Sequence, residues 1–230
     1  MTWNSSIPLQ APNQLLLPPI AENHEPLVSL KQYSPQIEVY PVYYHEGLLG
    51  AMKDCLLRLG VAQRLKEASL LLPAGFRLVI LDGYRPISVQ QALYDRQKER
   101  LLSQGWIEND DMYAELHRFV ARPSSDPAKP SRHLTGGAVD LTIAGPDGWL
   151  QMGAAFDDFS DLACTRYFEE ISPILPEEQK FRDHRRLLYH VMAQVGFTNY
   201  SDEWWHFDYG NQAWAVITGN EAACYGGILF

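Results

Sequence analysis

Two imidazoles and one carboxylate are the side chains of this sequence best suited to holding a metal ion. His133 and Asp140 lie seven residues apart in Ser131-Arg132-His133-Leu134-Thr135-Gly136-Gly137-Ala138-Val139-Asp140. The Gly136-Gly137 pair between them allows a tight turn, so the chain can fold back and aim both side chains at one point. A third ligand is available far downstream, in Glu203-Trp204-Trp205-His206. Structural zinc sites are closed by four ligands, usually rich in Cys, whereas two His and one Asp leave a fourth position for water. The count therefore points to a catalytic Zn2+, one per chain.

Neither half of this constellation is decisive alone. A His and an Asp at some spacing occur in most proteins of this size, and a surface His followed by a strand-end Asp explains that half equally well. What separates the two readings is the surrounding pattern, S-x-H-x-x-G-x-A-x-D, together with the downstream half. Glu203 and His206 are i and i+3, which on a regular strand face opposite sides, so a bend at Trp204-Trp205 is required if both enter one cleft. Without that bend the segment is a half-buried aromatic strand whose Glu and His face solvent. Two Trp beside an acid do have a use: an apolar wall raises a carboxylate's pKa toward the range in which it takes a proton from water and later gives it back. Arg85, in Asp82-Gly83-Tyr84-Arg85-Pro86, is the third component. A guanidinium near the metal stabilises the oxyanion of a tetrahedral intermediate; the alternative for an Arg on a turn is a salt bridge to a nearby carboxylate. His24, His45, His117, His184 and His190 have no partners at useful spacing and read as surface or structural residues.

The elements that must position these groups follow from pattern. Residues 1–46 read as an extended arm with one short strand at Ile37-Glu38-Val39-Tyr40. Leu48, Met52, Cys55, Leu56, Leu59, Ala62 and Leu65 recur at helical spacing and predict a helix that ends near Pro73. Phe76 to Leu81 is a buried strand, and Ser88 with Gln91 has the form of a capping box for a helix starting just after Pro86. That places Asp82 to Arg85 on the turn between them. A more polar helix is expected from about Asp110 to Ala121, ended by a loop carrying Pro123, Pro127 and Pro130, which is either a wall or lid of the site or a plain solvent loop. Ala138 to Ile143 and Trp149 to Met152 form a hairpin about Gly145-Pro146-Asp147-Gly148. Leu187, Leu188, Val191, Met192 and Val195 mark a helix that Gly196 ends. Two strands flank Gly210-Asn211 in the segment from Trp204 to Ile217. The fold class is α+β, a single domain over residues 1–230 with a mainly antiparallel sheet flanked by helices.

Composition narrows the function. With 19 Lys and Arg against 28 Asp and Glu, a formal net charge of −9, and no basic stripe, no nucleic-acid partner is expected. The 46% apolar content is that of a packed globular chain. Cys55, Cys164 and Cys224 form neither a C-x-x-C pair nor an even set, so reduced thiols are expected. The first thirty residues contain no Lys or Arg, and the apolar run Leu15-Leu16-Leu17 is closed by Pro18-Pro19, so a secretory signal is missing. No run reaches the roughly 20 apolar residues of a membrane span. The expectation is a cytoplasmic protein without a membrane partner.

Together these blocks resemble the zinc D-alanyl-D-alanine dipeptidases, the VanX-type enzymes within the larger D-Ala-D-Ala peptidase and hedgehog-like metallopeptidase group. The likeness runs from about Val79 to Tyr209, through Asp82 to Pro86, Ser131 to Asp140, Met152-Gly153 to Phe156-Asp157, Arg185-Arg186-Leu187-Leu188 and Glu203 to His206. It implies a hedgehog/DD-peptidase-like fold, zinc held by His133, Asp140 and His206, Glu203 as general base and acid, and Arg85 as transition-state stabiliser. It also implies that Asp157 receives the free amine of a small dipeptide substrate and that Ser131 hydrogen-bonds either the substrate backbone or its own turn. The implied reaction is hydrolysis of D-Ala-D-Ala, a step in peptidoglycan turnover. The rivals are a D,D-carboxypeptidase acting on longer peptidoglycan peptides and a zinc-containing binding module without catalysis. One departure is visible: the family often has Ser-Arg-Gly after the first ligand, where this chain has Leu134-Thr135-Gly136.

Overall fold

The computed structural model describes residues 3–10 and 17–229, so Leu15 and Leu16 lie outside it. In chain order the elements are β1 (Leu27–Ser29), β2 (Ile37–Val39), α1 (Val42–His45), β3 (Leu56–Arg58), α2 (Leu59–Leu71), β4 (Arg77–Asp82), α3 (Ile87–Ser103) and α4 (Asp110–Phe119). Then come β5 (Ala138–Gly145), β6 (Gly148–Trp149), α5 (Tyr167–Glu170), α6 (Pro176–Gln194), β7 (Thr198–Asn199), β8 (His206–Asp208) and α7 (Gln212–Thr218). The main sheet has the order β2-β4-β5-β8-β7, with β6 hairpinned onto β5. Every pairing in it is antiparallel except β2 with β4. This is an α+β architecture with a mainly antiparallel sheet.

Strand β5 is buried over its whole length, which is why its sequence is nearly continuous in apolar and small residues. Alternation along it sorts the two faces. Val139, Leu141 and Ile143 join the main core with Leu78 and Ile80 of β4, Val61 and Leu65 of α2, and Leu188, Val191 and Met192 of α6. Asp140 therefore points to the opposite face. Over that side lies a second apolar cluster, built from Val89, Leu93 and Leu101 of α3 with Met112, Leu116 and Phe119 of α4. The polar chemistry has to sit between the sheet and this helical layer.

Several local expectations are revised. No helix runs through Leu48 to Leu56: that stretch is irregular and ends in β3, and the helix starts only at Leu59. The reason is a long-range pairing, because β3 is held by β1, with Leu27 opposite Arg58 and Ser29 opposite Leu56. The arm thus supplies β1, β2 and α1, not one strand. Ser88 makes no cap; α3 begins at Ile87 behind Pro86 without a side-chain cap. After Gly210 the chain forms α7 in place of a strand, because the Asn211 side chain accepts the amide of Trp214 at 3.0 Å and starts a helix. The return strand of the hairpin is shorter than expected, covering Gly148–Trp149. Gly196, at φ +91°, follows α6 as anticipated.

Arg185 on α6 organises the segment between Met152 and Cys164. It is 2% exposed and donates to the carbonyls of Met152, Leu162 and Cys164, each at 2.7 Å. Replacing it by Arg185→Leu removes the donor from three carbonyls, that of Met152 buried and those of Leu162 and Cys164 partly so. We expect a loss of about 3 kcal/mol or more in unfolding free energy by urea denaturation; a change below about 1 kcal/mol would show that the segment is held by other contacts.

Candidate active site

The site begins where β4 runs into α3. Gly83 passes so close to β3 that a Cβ there would stand 2.6 Å from the Leu56 carbonyl oxygen, and its own carbonyl accepts a hydrogen bond from His133 Nδ1 at 2.8 Å. His133 sits in a 3-10 turn, Arg132–Thr135, closed by Gly136 at φ +67°. That turn delivers the chain into β5. Two residues into the strand, Asp140 is paired across β8 with His206. The bend required at Trp204-Trp205 is present: the amide of His206 donates to the Glu203 carbonyl at 3.3 Å, so Glu203 and His206 face the same cleft.

Three side chains converge, with one ligand atom from each lying within 4.8 Å of the others. His133 Nε2 lies 3.2 Å from His206 Nδ1, His206 Nδ1 lies 3.0 Å from Asp140 Oδ1, and His133 Nε2 lies 3.4 Å from Asp140 Oδ2. All three residues are buried. His133 Nδ1 faces the Gly83 carbonyl and His206 Nε2 faces Asp208 Oδ1 at 3.2 Å, so both rings have an outward acceptor for the proton they would keep when a cation takes the inward nitrogens. A tetrahedral ion with bonds of about 2.0–2.1 Å has ligand–ligand edges of about 3.3 Å, close to the separations found here. One proton can satisfy only one pair of these atoms, whereas a divalent cation satisfies all three. The donor set fits a metal such as zinc.

The electrostatics around this point are those of buried charge. At Asp140 burial opposes ionisation, but His133 and His206 outweigh it and hold the carboxyl well below the usual range. At His206 burial disfavours the charged ring, yet Asp208 and Asp140 prevail and raise it to about 10. Glu203 is pushed up to about 8 by burial, with Asp140 and Asp157 adding to the rise. It stands 3.7 Å from His206 Nδ1 and has no hydrogen-bond partner for its carboxylate among the described residues. Arg85, 8% exposed, makes the salt bridge that was the alternative for an Arg on a turn, and it also lines the cleft. It is salt-bridged to Asp82 at 2.7 Å and held by Gln90 at 2.9 Å, while its Nη2 lies 3.4 Å from Asp140 Oδ2.

The cleft in front of these groups has a volume of about 150 Å³, the size of cavity that takes a small molecule. Asp157 borders it from the segment organised by Arg185 and is held in the left-handed region at φ +58°. Its Oδ1 accepts from the Tyr43 hydroxyl at 3.3 Å, and its buried Oδ2 has no hydrogen-bond partner among the described residues, the nearest cation being Arg96 at 3.6 Å. Burial pushes this carboxyl up to about 7. Ser131 also lines the cleft, 9% exposed, and its hydroxyl makes no hydrogen bond among the described residues. His117 lines it too, bonded to the Tyr94 hydroxyl at 3.0 Å, which spacing alone did not suggest. Residues 123–130 are not part of its wall.

Three contributors escaped the sequence reading. Asp208 is fully buried and takes hydrogen bonds from His206, Asn211 and Arg132; its signal was present, since His206 and Asp208 are i and i+2 on one strand and share a face. Gln90, one turn into α3, positions Arg85. Tyr43 comes from the arm, lies under the Arg85 guanidinium at 4.9 Å and touches Asp157; no local pattern marks it.

The family model described as D-ala-D-ala dipeptidase matches residues 43–222 of this chain. A D-alanyl-D-alanine dipeptidase from Synechocystis sp. is 31% identical over 176 residues, covering 70% of this chain and 71% of that protein. One from Escherichia coli is 28% identical over 173 residues, covering 74% and 75%. Among solved structures, VanYB in complex with D-Alanine-D-Alanine aligns at a TM-score of 0.49 with 17% identity, over 90% of each chain.

The contact from Asp208 to the outer nitrogen of His206 makes a direct prediction. Asp208→Ala leaves the three inward-facing atoms in place but frees the imidazole to turn, and metal affinity should fall about 10- to 100-fold. Competition against a chromophoric chelator measures it, and unchanged affinity would remove Asp208 from the site.

Proposed function

Because the chain belongs to the D-ala-D-ala dipeptidase family, we propose that it hydrolyses the dipeptide D-alanyl-D-alanine to two D-alanines at one zinc ion per chain, held by His133, Asp140 and His206. Zinc bound there supplies polarisation of the scissile carbonyl and eases the ionisation of water. The chain's own residues do the rest. Glu203, whose carboxylate faces the cleft without a hydrogen-bond partner among the described residues, takes the proton of the attacking water and passes it to the leaving amine. Its burial matches it to that exchange, since a carboxyl raised to about 8 both accepts and returns a proton near neutrality. Arg85, fixed by Asp82 and Gln90, donates to the oxygen on which charge develops. Ser131 offers its free hydroxyl to the substrate backbone.

Asp157 supports a dipeptidase over a carboxypeptidase. Its Oδ2 is buried, anionic at slightly alkaline pH and without a hydrogen bond among the described residues. A substrate ammonium satisfies it, and an acylated nitrogen leaves it stranded. The observation that carries the whole reading is the convergence of His133, Asp140 and His206 beside the unbonded Glu203 carboxylate. We place the activity in the cytoplasm, as part of peptidoglycan turnover; the three free cysteines support a reducing compartment. No helix among the described residues is long and apolar enough to cross a membrane.

Glu203→Ala should keep the metal and lower kcat by about 10²–10⁴-fold on D-Ala-D-Ala; full turnover in that variant would remove Glu203 from the proton path. Free D-Ala-D-Ala should be preferred to its N-acetyl derivative, and Asp157→Asn should erase that preference. A preference for the acetylated substrate would establish the carboxypeptidase instead. The pH dependence has a definite sign. Glu203 must be ionised to take the water proton and Asp157 to bind the ammonium, and their carboxyls are raised to about 8 and about 7, so kcat/KM falls as the pH drops below about 8 and falls more steeply below about 7. In Asp157→Asn the steeper part should be lost while the limb set by Glu203 remains.

A further inference from the structure

Helix α3 buries one stripe, made of Val89, Gln90, Leu93, Tyr94, Gln97 and Leu101, the spacing of a core-facing helix. Two amides interrupt its apolar pattern. Gln90 is fully engaged, holding Arg85 through its oxygen at 2.9 Å and the Ala121 carbonyl through its nitrogen at 2.8 Å. Gln97 is not: it is 4% exposed, and its amide makes no hydrogen bond among the described residues. It lines the catalytic cleft together with Leu93, Phe119 and Phe159. The amide is not sealed from solvent; it borders the cleft, where an entering polar group can take the place of water on it.

Its position along α3 says which part of a substrate it meets. Seven residues, or about 10 Å of helix axis, separate it from Gln90 and hence from Arg85. Its neighbour Arg96 reaches Asp157 Oδ2 at 3.6 Å, so Gln97 sits at the level of the group assigned above to the substrate amine. A dialanine spans at most about 7 Å, and a methyl on its amine-bearing carbon stops one bond from the backbone. Such a methyl leaves Gln97 untouched.

We propose that the space between α3 and α4 is a side-chain subsite for the N-terminal residue of the dipeptide, with Gln97 as its hydrogen-bonding end. The inference rests on the dipeptidase reading and widens its substrate class to D,D-dipeptides whose first residue carries a side chain of glutamine length ending in a neutral amide. Leu93, Phe119 and Phe159 supply walls for its methylenes, and the Gln97 amide offers one donor face and one acceptor face to a second amide. A carboxylate in that place is opposed by Asp157, and the Arg118 guanidinium on the same wall is already taken by Asp161 at 2.7 Å.

The test uses the zinc-loaded full chain with D-Ala-D-Ala, D-Gln-D-Ala and D-norleucyl-D-Ala. The expected kcat/KM for D-Gln-D-Ala exceeds that for D-norleucyl-D-Ala by about tenfold, the effect of one matched amide contact. Gln97→Leu should bring that ratio to about one or below, and Gln97→Ala should lower it without adding bulk. A wild-type ratio of one or less, or a ratio that neither variant moves, overturns the subsite while D-Ala-D-Ala cleavage leaves the dipeptidase standing. If none of the three dipeptides is cleaved, the dipeptidase reading fails and the subsite with it.

Discussion

Two imidazole nitrogens and the two oxygens of one carboxylate, gathered with neighbouring separations of 3.0–3.4 Å, are the constraint around which this molecule is arranged. Left to themselves two lone-pair nitrogens and a carboxylate oxygen separate or capture a proton, so the fold has to hold them against their own repulsion. It does so by register. Asp140 and His206 are partners across β5 and β8, and Asp82 stands opposite Asp140 across β4 and β5. His133 is added from a turn rather than a strand, locked by the Gly83 carbonyl behind it. The antiparallel sheet is therefore the ligand frame itself, and its hydrogen bonds set the distances on which cation binding depends.

Charge is then layered outward from that point. Asp208 backs His206, Arg132 backs Asp208 at 3.0 Å, and the Arg132 guanidinium lies over the Tyr200 ring at 4.3 Å. On the other flank Asp82 and Gln90 hold Arg85, and Tyr43 ties Arg85 to Asp157. Glu203 is held more loosely, its nearest opposite charge being His206 at 3.7 Å. Its carboxylate is kept close to the centre and left without a hydrogen bond among the described residues, and that isolation makes its proton exchangeable near neutral pH.

Much of this was legible in the chain because it rests on short-range rules. The glycine pair after His133, the acid and Trp pair before His206, the strand from Phe76 to Leu81 and the helix beyond Pro86 all declare themselves within a few residues. The failures share one cause. The spacing of Leu48, Met52 and Cys55 imitates a helical face, yet the chain there is irregular and leads into β3, which β1, some thirty residues away, holds, and periodicity carries no record of a partner. Tyr43 and Gln97 were missed for the same reason, since their importance comes from what lies across the cleft. The strand expected after Gly210 is different: Asn211 was a visible helix cap, overridden by the aromatic and β-branched residues that follow it.

The burial of β5 along its full length carries a consequence for how such an enzyme diversifies. A strand with no solvent-facing position accepts only replacements that keep volume and apolarity, so the atoms that perform the chemistry are constrained together with the core. The cleft's outer walls are assembled instead from α3, α4 and the segment bearing Asp157, where single replacements leave the sheet undisturbed. Inherited variation should accumulate there, giving descendants that share one reaction while differing in the molecules they admit.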